Sequence, residues 1–326
     1  MPVRWGFLGA GWIATRALAP AVHAADGAVL QAAAARDGGR ALALEPRGAA
    51  YDDYAVLLGD DEVDAVYISL TNEVHAQWGI AALQSGKHVL CEKPLAMNEA
   101  EARRMVDVAT ETGRLLVEAS WYRWHPRVRL AQQLLREGRI GTVRHVAAGF
   151  TFAGQLAGNY RLEPARGGGA LYDVGCYAVS AAQWAFSGAP VRTVAARQEL
   201  GPSGVDIVTE AVLEFDAGDA EIRAGISAPP RQWLVISGDA GELELRDGSF
   251  TSWRDDDTVL LVSDRSGTQR VQVPAADPYQ VMVEEVSAVI EGRGGWVLPL
   301  TESVATAAIL DAAFASAGAD GRPVSL

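Results

Sequence analysis

The stretch VRWGFLGAGWIA, residues 3–14, decides the fold of this chain. Val3 to Leu8 is an apolar run with the length of a buried strand, and a glycine-rich turn follows it directly and opens a segment with a helical pattern. In such a unit the first glycine permits a tight turn, and the second lets the backbone approach a pyrophosphate at the positive end of the helix. The candidate dinucleotide-binding residues of this turn are Gly9, Gly11, Trp12 and Ile13.

Up to about residue 120 the chain alternates short apolar runs with helical patterns, which predicts a doubly wound parallel sheet of the Rossmann type. Several runs are apolar without alternation, as expected for strands that helices cover on both faces. A helix is predicted after Asn98, with Glu101 as its partner in a capping box and Gly113 at its exit. The predicted strands are residues 3–8, 29–35, 65–70, 88–90 and 115–118.

The end of the second predicted strand, Ala35-Arg36-Asp37-Gly38-Gly39-Arg40, bears on the choice between NAD and NADP. An acidic side chain there would hold the ribose of NAD, but Ala35 is not acidic. Arg36 and Arg40 offer two guanidinium groups to a 2′-phosphate, which favours NADP. Asp37 supports NAD if it turns towards the ribose, and otherwise it caps a helix or lies in a solvated loop. Use of both cofactors stays open.

Length and charge limit the function classes. A chain of 326 residues predicts two domains, and a net charge of -13 argues against a nucleic-acid partner or an anionic membrane surface, which need clustered Lys and Arg. With no signal-like segment and no apolar run of spanning length, we expect a cytoplasmic protein without a membrane segment. Cys91 and Cys176 are expected to be reduced thiols, and no metal site is expected because the histidines lack ligand spacing.

Three further motifs carry a family resemblance. They are the segment Thr71-Asn72-Glu73-Val74-His75, the motif Glu92-Lys93-Pro94 after a predicted strand, and the run from Gly167 to Tyr177 with the pattern Gly-Gly-Ala-Leu-x-Asp-x-Gly-x-Tyr. In this order and combination the chain resembles the Gfo/Idh/MocA oxidoreductases over nearly its whole length. The aldose and trans-dihydrodiol dehydrogenase branch is closest in pattern, because Tyr177 stands where other branches have histidine.

The resemblance implies a Rossmann domain over residues 1–120. It also implies a second α/β domain over residues 121–326, with a large, mostly antiparallel open sheet for substrate binding and oligomerisation, so a homodimer or higher homo-oligomer is expected. The residues fit such a sheet, and Asp216-Ala217-Gly218-Asp219 predicts a hairpin turn. A helix is predicted over residues 301–317. The predicted strands of this domain are residues 143–152, 211–215, 220–226, 234–237 and 242–245.

Hydride transfer from an alcohol carbon needs a group that takes or returns the hydroxyl proton, and Tyr177 is our candidate. A free tyrosine has a pKa of about 10, so a nearby cation must favour its phenolate. In the resembling enzymes the lysine of the Glu-Lys-Pro motif lies beside the nicotinamide, which assigns that role to Lys93. Asp173 precedes Tyr177 by four residues, so a helix from residue 174 would place both on one face to bind substrate. The alternative for Asp173 is a helix N-cap.

The remaining candidates surround these three. By the resemblance, Asn72 and His75 lie on the cofactor side, although Thr71 replaces the usual proline of that loop, and Glu92 supports the loop of Lys93. His75 has the alternative of a packed histidine at a helix start. Arg123 and Arg161 are candidate substrate-binding residues, and the glycines at 167–169 either approach the substrate or form a flexible turn. Trp12, Trp121 and Trp124 are each expected in the core more than at a sugar.

These residues predict an NAD(P)-dependent oxidoreductase. Its expected reaction is hydride transfer between nicotinamide, with NADP favoured, and a secondary alcohol, hemiacetal or ketone of a sugar, polyol or diol. The alternatives are a sensor of the same fold that binds dinucleotide without catalysis, and an enzyme that retains its cofactor through turnover.

Overall fold

The computed structural model describes residues 1–154, 156–246, 248–251 and 256–326. Residues 1–124 are all described, and they form a sheet with covering helices. In chain order the elements are β1 Val3–Leu8, α1 Ala19–Ala24, β2 Ala28–Ala34, α2 Gly38–Leu42, β3 Ala49–Tyr51, α3 Tyr54–Leu58, β4 Ala65–Ile68, α4 His75–Gln84, β5 His88–Cys91, α5 Glu99–Thr112 and β6 Leu116–Glu118. A π-helical turn, Ala14–Leu18, precedes α1, and 3-10 turns span Asn72–Val74 and Trp121–Trp124.

The first sheet has the strand order β3-β2-β1-β4-β5-β6, and every neighbouring pair is parallel. This is the Rossmann arrangement that the sequence predicts. Each predicted strand is present within two residues of its expected bounds. The strand β3 was not predicted, because its three residues lie at the sheet edge and carry too short an apolar signal.

The predicted caps of α5 are confirmed. Asn98 Oδ1 accepts the backbone N–H of Glu101 at 2.9 Å, and Gly113 closes the helix in the left-handed conformation with φ 63°. The carboxylate of Glu101 bonds the N–H of Met97, one residue before the position that a capping box uses. Local side chains therefore fix both ends of this helix.

A second sheet follows, with helices against it. The described elements after residue 124 are α6 Pro126–Arg136, β7 Val143–Ala153, α7 Cys176–Ala185, β8 Thr193–Leu200, β9 Asp206–Glu214, β10 Asp219–Gly225, β11 Ser227–Gly238, β12 Gly241–Leu245, β13 Thr258–Asp264, β14 Gly267–Val273, α8 Pro278–Ile290, α9 Leu300–Gly318 and β15 Val324–Ser325, of which α8 packs in the first unit. The 3-10 turns Tyr160–Leu162 and Pro164–Arg166 and a π-helical turn, Leu171–Gly175, lead into α7.

The strand order is β14-β13-β12-β11-β7-β10-β9-β8-β15. Only β7 and β10 pair in parallel among these described strands, so the expectation of a mostly antiparallel sheet is confirmed. The predicted hairpin joins β9 to β10, and Phe215 N donates to Gly218 O at 2.8 Å. The sequence analysis did not predict α6, α8, β8, β13, β14 or β15. In β14 most side chains are exposed, so it lacks the apolar alternation that predicts a strand.

The chain divides into two compact units. One contains Met1–Trp124 and Asp277–Val304, and the other contains His125–Ala276 and Ala305–Leu326. The predicted domains, 1–120 and 121–326, differ from this division in one respect, because residues 277–304 join the first unit. The reason is packing: α8 contacts α1 and β2, and Trp5 Nε1 donates to Ser287 Oγ at 3.1 Å. Trp121 also stacks on Tyr279 with ring centroids 4.5 Å apart.

Among the described residues, α9 is the one helix long and apolar enough to cross a membrane by length and composition alone. The sequence analysis expects no such run. Half of the apolar window of α9 is buried inside the protein, with Ile309 and Leu310 nearly inaccessible to solvent. A core helix satisfies the same length and composition, and the packing of α9 accounts for its apolar character.

Candidate active site

The glycine turn after β1 has two glycines with different surroundings. Gly9 has φ +102°, and a Cβ built there would lie 2.8 Å from Ser69 O, so the fold itself requires glycine at this position. At Gly11 the sole described atom within 4 Å of such a Cβ is Ser69 O, at the ordinary contact distance of 3.6 Å. Packing within the protein does not explain this second glycine. The space beside Gly11 fits a pyrophosphate that approaches the backbone closely.

Trp12 and Ile13 begin the helical segment that follows the turn. Trp12 is 70% exposed, so the expectation that it packs in the core is wrong. The next position, Ala14, is fully buried, and the π-helical turn Ala14–Leu18 then continues into α1. The start of this helix therefore presents backbone N–H groups and an exposed aromatic ring, which suits an anionic ligand with an adjoining flat group.

The edge of the sheet after β2 is basic. Ala35 N donates to Tyr51 O, and Asp37 caps α2 by accepting the N–H of Gly39 at 2.9 Å, which is the capping alternative of the sequence analysis. The guanidinium of Arg40 reaches back to the glycine turn and donates to Ala10 O at 2.5 Å. Arg36 is exposed and makes no hydrogen bond or ion pair with the residues that the structure describes. Two cations thus lie on chain segments next to the predicted ribose position.

His75 links two loops at the carboxyl ends of the strands. It is completely buried at the start of α4, with Nδ1 2.9 Å from Pro94 O and Nε2 3.1 Å from Leu70 O. Burial lowers the pKa of His75, while the two carbonyls act in the opposite direction. Asn72 is buried in the 3-10 turn just before it. His75 thereby holds the loop after β4 against the segment that contains Lys93.

The motif Glu92-Lys93-Pro94 follows β5 directly. Glu92 is buried, accepts the hydroxyl of Tyr67 at 2.7 Å, and lies 3.3 Å from the backbone N of Lys93. Burial and the charge of Glu92 raise the pKa of Tyr67, so that hydroxyl remains a donor. Lys93 is half-buried, and its peptide bond to Pro94 is cis. The loop that places Lys93 is therefore fixed by side chains from β4 and α4.

Glu118, at the end of β6, is a second carboxyl near Lys93 that the sequence analysis did not single out. It is buried and accepts the N–H of Leu95 at 3.2 Å. Burial raises the pKa of Glu118 to about 7, against the opposing effects of Ser303, the Leu95 amide and the charges of Lys93 and Arg123. The sequence signal was present but weak: an acidic residue closing an otherwise apolar strand.

In the second unit, Asp173 and Tyr177 lie on either side of a helix junction. Asp173 belongs to the π-helical turn Leu171–Gly175, and Tyr177 is the second residue of α7. Both are buried. The N-cap residues of the two helical segments are Ala170 and Gly175, so the capping alternative for Asp173 is wrong. The expected helix begins three residues earlier than residue 174 and starts as a π-helix.

Arg161 holds Asp173 and lies close to Tyr177. Its Nε donates to Asp173 Oδ2 at 2.7 Å, and its guanidinium lies 5.1 Å from the centre of the Tyr160 ring. Burial opposes the charge of Arg161, but Asp173, Tyr160 and Tyr177 outweigh it and raise the pKa of the guanidinium. Arg161 thus stays cationic, keeps Asp173 ionised and supplies positive charge near the phenol.

The ring of Tyr177 is packed against aromatic side chains. Its centroid is 5.7 Å from that of Phe150 and 5.9 Å from that of Phe250. These rings orient the phenol and exclude water from one side of it. A tyrosine whose ring is fixed, with a cation and a carboxylate close by, has the features of a general acid or base.

The comparisons with known proteins identify the family of this chain. The family model for the oxidoreductase family with an NAD-binding Rossmann fold matches residues 3–120, and the model for the Gfo/Idh/MocA C-terminal domain matches residues 128–244. The chain belongs to the Gfo/Idh/MocA oxidoreductase family. It is an oxidoreductase, and its first domain binds a nicotinamide dinucleotide.

Three relatives illustrate the range of this Gfo/Idh/MocA family. D-xylose 1-dehydrogenase (NADP(+)) 2 of Haloferax volcanii is 35% identical over 321 residues, which cover 96% of this chain and 97% of the relative. Trans-1,2-dihydrobenzene-1,2-diol dehydrogenase of Xenopus laevis is 34% identical over 198 residues, 60% of this chain and 59% of the relative. A 3-ketoreductase from Actinomadura kijaniata, solved with NADP and TDP-benzene, superposes with a TM-score of 0.90 at 30% identity and covers 97% and 98% of the two chains.

Arg123 of this Gfo/Idh/MocA oxidoreductase lies in the core of the first unit. Its guanidinium is buried, pairs with Glu302 at 2.7 Å and lies 5.7 Å from the centre of the Trp296 ring. These contacts give Arg123 a packing role beside the predicted one. Trp121 and Trp124 are buried as expected. Arg161 contacts Asp173, which makes it a neighbour of the candidate catalytic groups.

Two further observations concern metal and thiol chemistry in this oxidoreductase. Cys91 and Cys176 are both buried thiols and do not form a disulfide with each other. His145, Asp219 and Glu221 form the one group of the described residues whose potential ligand atoms all lie within 4.8 Å of one another. Linear spacing missed it because the register of β7 and β10 places His145 opposite Asp219. Its side chains are solvent-accessible and His145 already pairs with Asp219 at 3.0 Å, which is the geometry of a surface ion pair.

The glycines before the π-helical turn are packed by protein atoms. A Cβ at Gly168 would lie 2.6 Å from Arg161 O, and one at Gly169 would lie 2.0 Å from Asp206 Oδ1. The sequence analysis offered approach to substrate or a flexible turn for these residues, and at these two positions the structure places the backbone against its own chain. Asp206 is a residue that the sequence reasoning missed, because nothing in the motif pointed to the start of β9.

Proposed function

We propose that this oxidoreductase transfers a hydride between NADP(H) and a secondary alcohol, hemiacetal or ketone carbon of a sugar or a related polyol or diol. The observation that carries the proposal is Tyr177, a buried phenol held by aromatic rings, with the Arg161–Asp173 pair beside it. The named activities of the relatives all concern hydroxyl or keto carbons of sugars or a cyclic diol, which supports the substrate class.

The chemical roles follow from the charges. Nicotinamide, when bound, accepts or returns the hydride. In the oxidising direction Tyr177 takes the hydroxyl proton as its phenolate, and in the reducing direction its phenol returns that proton to the carbonyl oxygen. Lys93 and Arg161 supply positive charge that favours the phenolate. Asp173, kept ionised by Arg161, accepts a hydrogen bond from a substrate hydroxyl and fixes the carbon to be oxidised.

The preference for NADP over NAD rests on the edge after β2. Arg36 is exposed without a partner among the described residues, and Arg40 lies against the glycine turn. Asp37, the acidic residue that would favour NAD, has its carboxylate on the N–H of Gly39. A 2′-phosphate would therefore meet two guanidinium groups and no available carboxylate from Asp37. Asn72, Glu92 and the residues of the glycine turn complete the proposed cofactor contacts.

We also propose that the chain forms a homo-oligomer through the face of the second sheet opposite α7. That face carries the pair Arg223–Glu210, with the partly exposed Val212 and the ring of Trp233 among its charges. Such a mixture of paired charges and apolar side chains suits a self-complementary contact. Sedimentation velocity at several concentrations tests it, and a monomer at every concentration would contradict it.

The experiment that tests the reaction measures NADP+ and NAD+ reduction with a panel of aldoses, inositols, uronates and trans-diols. The wild type is compared with Tyr177→Phe and Lys93→Met, and with Tyr172→Phe, a matched control at a tyrosine that packs on Phe314. We expect losses in kcat of about 10²- to 10⁴-fold for the first two variants, the usual contribution of acid–base groups, with NADPH affinity retained.

The outcomes separate the alternatives. Normal turnover by Tyr177→Phe would contradict the proposed role of this tyrosine. Tight NADPH binding without turnover of any substrate would favour a non-catalytic sensor. Cofactor that stays bound through purification and turnover would favour an enzyme that does not release it.

A further inference from the structure

The start of β9 contacts the start of the helix that holds the candidate catalytic residues. Asp206 is 3% exposed, and its Oδ2 accepts the backbone N–H of Leu171 at 2.8 Å and the hydroxyl of Thr209 at 2.6 Å. A side chain 35 positions further along the chain therefore satisfies the first amide of the π-helical turn Leu171–Gly175.

This contact replaces a cap that the local sequence lacks. The N-cap residue of the turn is Ala170, which has no side-chain acceptor. A carboxylate at a helix N-terminus is stabilised by the amide dipoles and by the hydrogen bonds that it accepts from the first amides. Burial raises the pKa of Asp206 to about 6, while the hydrogen bonds from Thr209 and Leu171 act against that rise. The carboxylate is thus held in a dry position by the groups that it caps.

The glycine before the turn belongs to the same arrangement. Gly169 has φ +111°, and a Cβ there would lie 2.0 Å from Asp206 Oδ1. Its N–H donates to Arg161 O at 2.9 Å, and its carbonyl accepts the N–H of Asp173 at 3.1 Å. Gly169 therefore connects the backbone of Arg161, the carboxylate of Asp206 and the residue that carries the Asp173 side chain.

We propose that Asp206 is a positioning residue that fixes the π-helical turn and so sets the places of Asp173 and Tyr177 for the reaction. The inference rests on the proposed function of Tyr177. Asp206 acts through backbone amides, whereas Arg161 acts on the Asp173 carboxylate directly, so Asp173 is held from both its main chain and its side chain. A displacement of about 1 Å of such groups can cost about 100-fold in rate.

The test compares Asp206→Ala, Asp206→Asn and the matched control Ser316→Ala. Ser316 is equally buried in the same unit, accepts the N–H of Ala196 at 2.9 Å and donates to Arg322 O at 2.7 Å, but caps no helix. For each protein we measure kcat and KM for substrate, NADPH affinity, the unfolding midpoint, and hydrogen exchange of the amides of residues 170–177.

We expect Asp206→Ala to lower kcat by about 10- to 100-fold, with NADPH affinity unchanged. Asparagine is as good a cap as aspartate, so Asp206→Asn should keep kcat within about fivefold of the wild type. Ser316→Ala should lower the unfolding midpoint as Asp206→Ala does but keep kcat. Amides 170–177 should exchange faster in Asp206→Ala and not in Ser316→Ala.

Three results would overturn the inference: wild-type kcat in Asp206→Ala, an equal loss of kcat in Ser316→Ala at the same stability, or unchanged exchange of amides 170–177. If Asp206→Ala does not fold, Thr209→Val, which removes one bond to the carboxylate, and Asp206→Asn still report on the exchange and on kcat. If the wild type itself turns over no substrate, the proposed function fails, and the exchange measurement alone decides whether Asp206 fixes the turn.

Discussion

Two glycine-containing turns of this oxidoreductase each lead into a π-helical turn and then an α-helix, but different groups lie against them. Gly9 and Gly11 precede the π-helical turn Ala14–Leu18, which continues into α1, and the glycines at 167–169 precede the π-helical turn Leu171–Gly175, which continues into α7. In the second unit Asp206 occupies the start of the helical segment. In the first unit the N-cap residue, Ile13, makes no side-chain capping bond. The surroundings of Gly11 among the described residues leave room for a ligand.

The difference shows that the amide-rich start of a helix can either be fixed by the protein's own carboxylate or bind an external anion. The amide-rich start of a helix attracts negative charge. Where the protein supplies that charge itself, the helix is fixed and can carry reacting side chains in constant positions. Where it leaves the helix start to an external anion, the same geometry becomes a binding site. Variants that exchange or remove these features test the comparison directly.

Gly169→Ala should have the largest effect. The positive φ and the 2.0 Å approach of Asp206 Oδ1 both oppose a side chain at this position, so we expect a loss of about 3 kcal/mol in the free energy of unfolding. Urea denaturation measures it. Gly188→Ala is the control, since Gly188 has φ +75° with nothing described within 4 Å of its Cβ, and should lose about 1 kcal/mol. Equal losses would show that Asp206 does not fill the second turn.

Glu118→Gln should change the pH dependence of stability, by an amount close to the loss expected for Gly169→Ala. The pKa of Glu118 is raised from about 4.5 to about 7 on folding, so its neutral form stabilises the protein below pH 4.5 and this contribution is lost as the pH rises through 7. That shift corresponds to about 3 kcal/mol at most. Between pH 5 and pH 8, the free energy of unfolding should therefore fall less in Glu118→Gln than in the wild type.

The control for that measurement is Glu111→Gln, at an exposed carboxyl of α5, which should follow the wild-type pH dependence. Glu118 differs from Asp206 in one respect: it is a buried carboxyl that accepts the amide of Leu95 without capping a helix. If Glu118→Gln and the wild type lose stability equally between pH 5 and pH 8, Glu118 is ionised throughout that range in the folded protein.

Arg36→Ala tests whether the segment after β2, next to the turn of Gly9 and Gly11, binds the 2′-phosphate of NADP. We expect NADPH affinity to fall about 30-fold, or about 2 kcal/mol, with NADH affinity unchanged, because we propose that the lost guanidinium binds the extra phosphate. Fluorescence titration of both cofactors measures this. Arg47→Ala removes an exposed arginine just before β3, at the opposite ends of the strands, and should change neither affinity. A parallel loss for NADPH and NADH would contradict the proposed contact with the 2′-phosphate.

Gly11→Ala should have the smallest effect and the most selective one. Its Cβ meets the described protein at an ordinary 3.6 Å, so the unfolding midpoint should not change. NADPH affinity should fall about tenfold, which is about 1.4 kcal/mol, because the methyl group separates the backbone from the pyrophosphate. Calorimetric titration measures the NADPH affinity, and thermal unfolding of the same samples measures the unfolding midpoint. A destabilised protein would show that the first turn, like the second, is packed by its own chain.

The sequence predicted those parts of the molecule that local patterns encode. The apolar runs of the first sheet, the cap of Asn98 and the turn at Gly9 each depend on residues within a few positions of one another. The pattern of the first unit was therefore predictable almost strand by strand. The Glu-Lys-Pro motif after a predicted strand also placed Lys93 directly after β5.

The parts that the sequence did not predict depend on contacts between distant positions. Asp206 and Glu118 are ordinary acidic residues in sequence, and only their burial against backbone amides distinguishes them. The exposed Trp12 was expected in the core because composition alone does not show which tryptophans are exposed. The strand β14 was missed because an exposed edge strand needs no apolar alternation.

The return of residues 277–304 to the first unit has a consequence for exchanging parts between related enzymes. Ser287 receives the hydrogen bond of Trp5, and Tyr279 stacks on Trp121, so a gene fragment that ends at residue 124 would leave both tryptophans without these contacts. The nucleotide-binding half is thus encoded in two separate stretches. A chimera that replaces it must carry both stretches from the same parent, and its junctions belong near residues 124, 277 and 304.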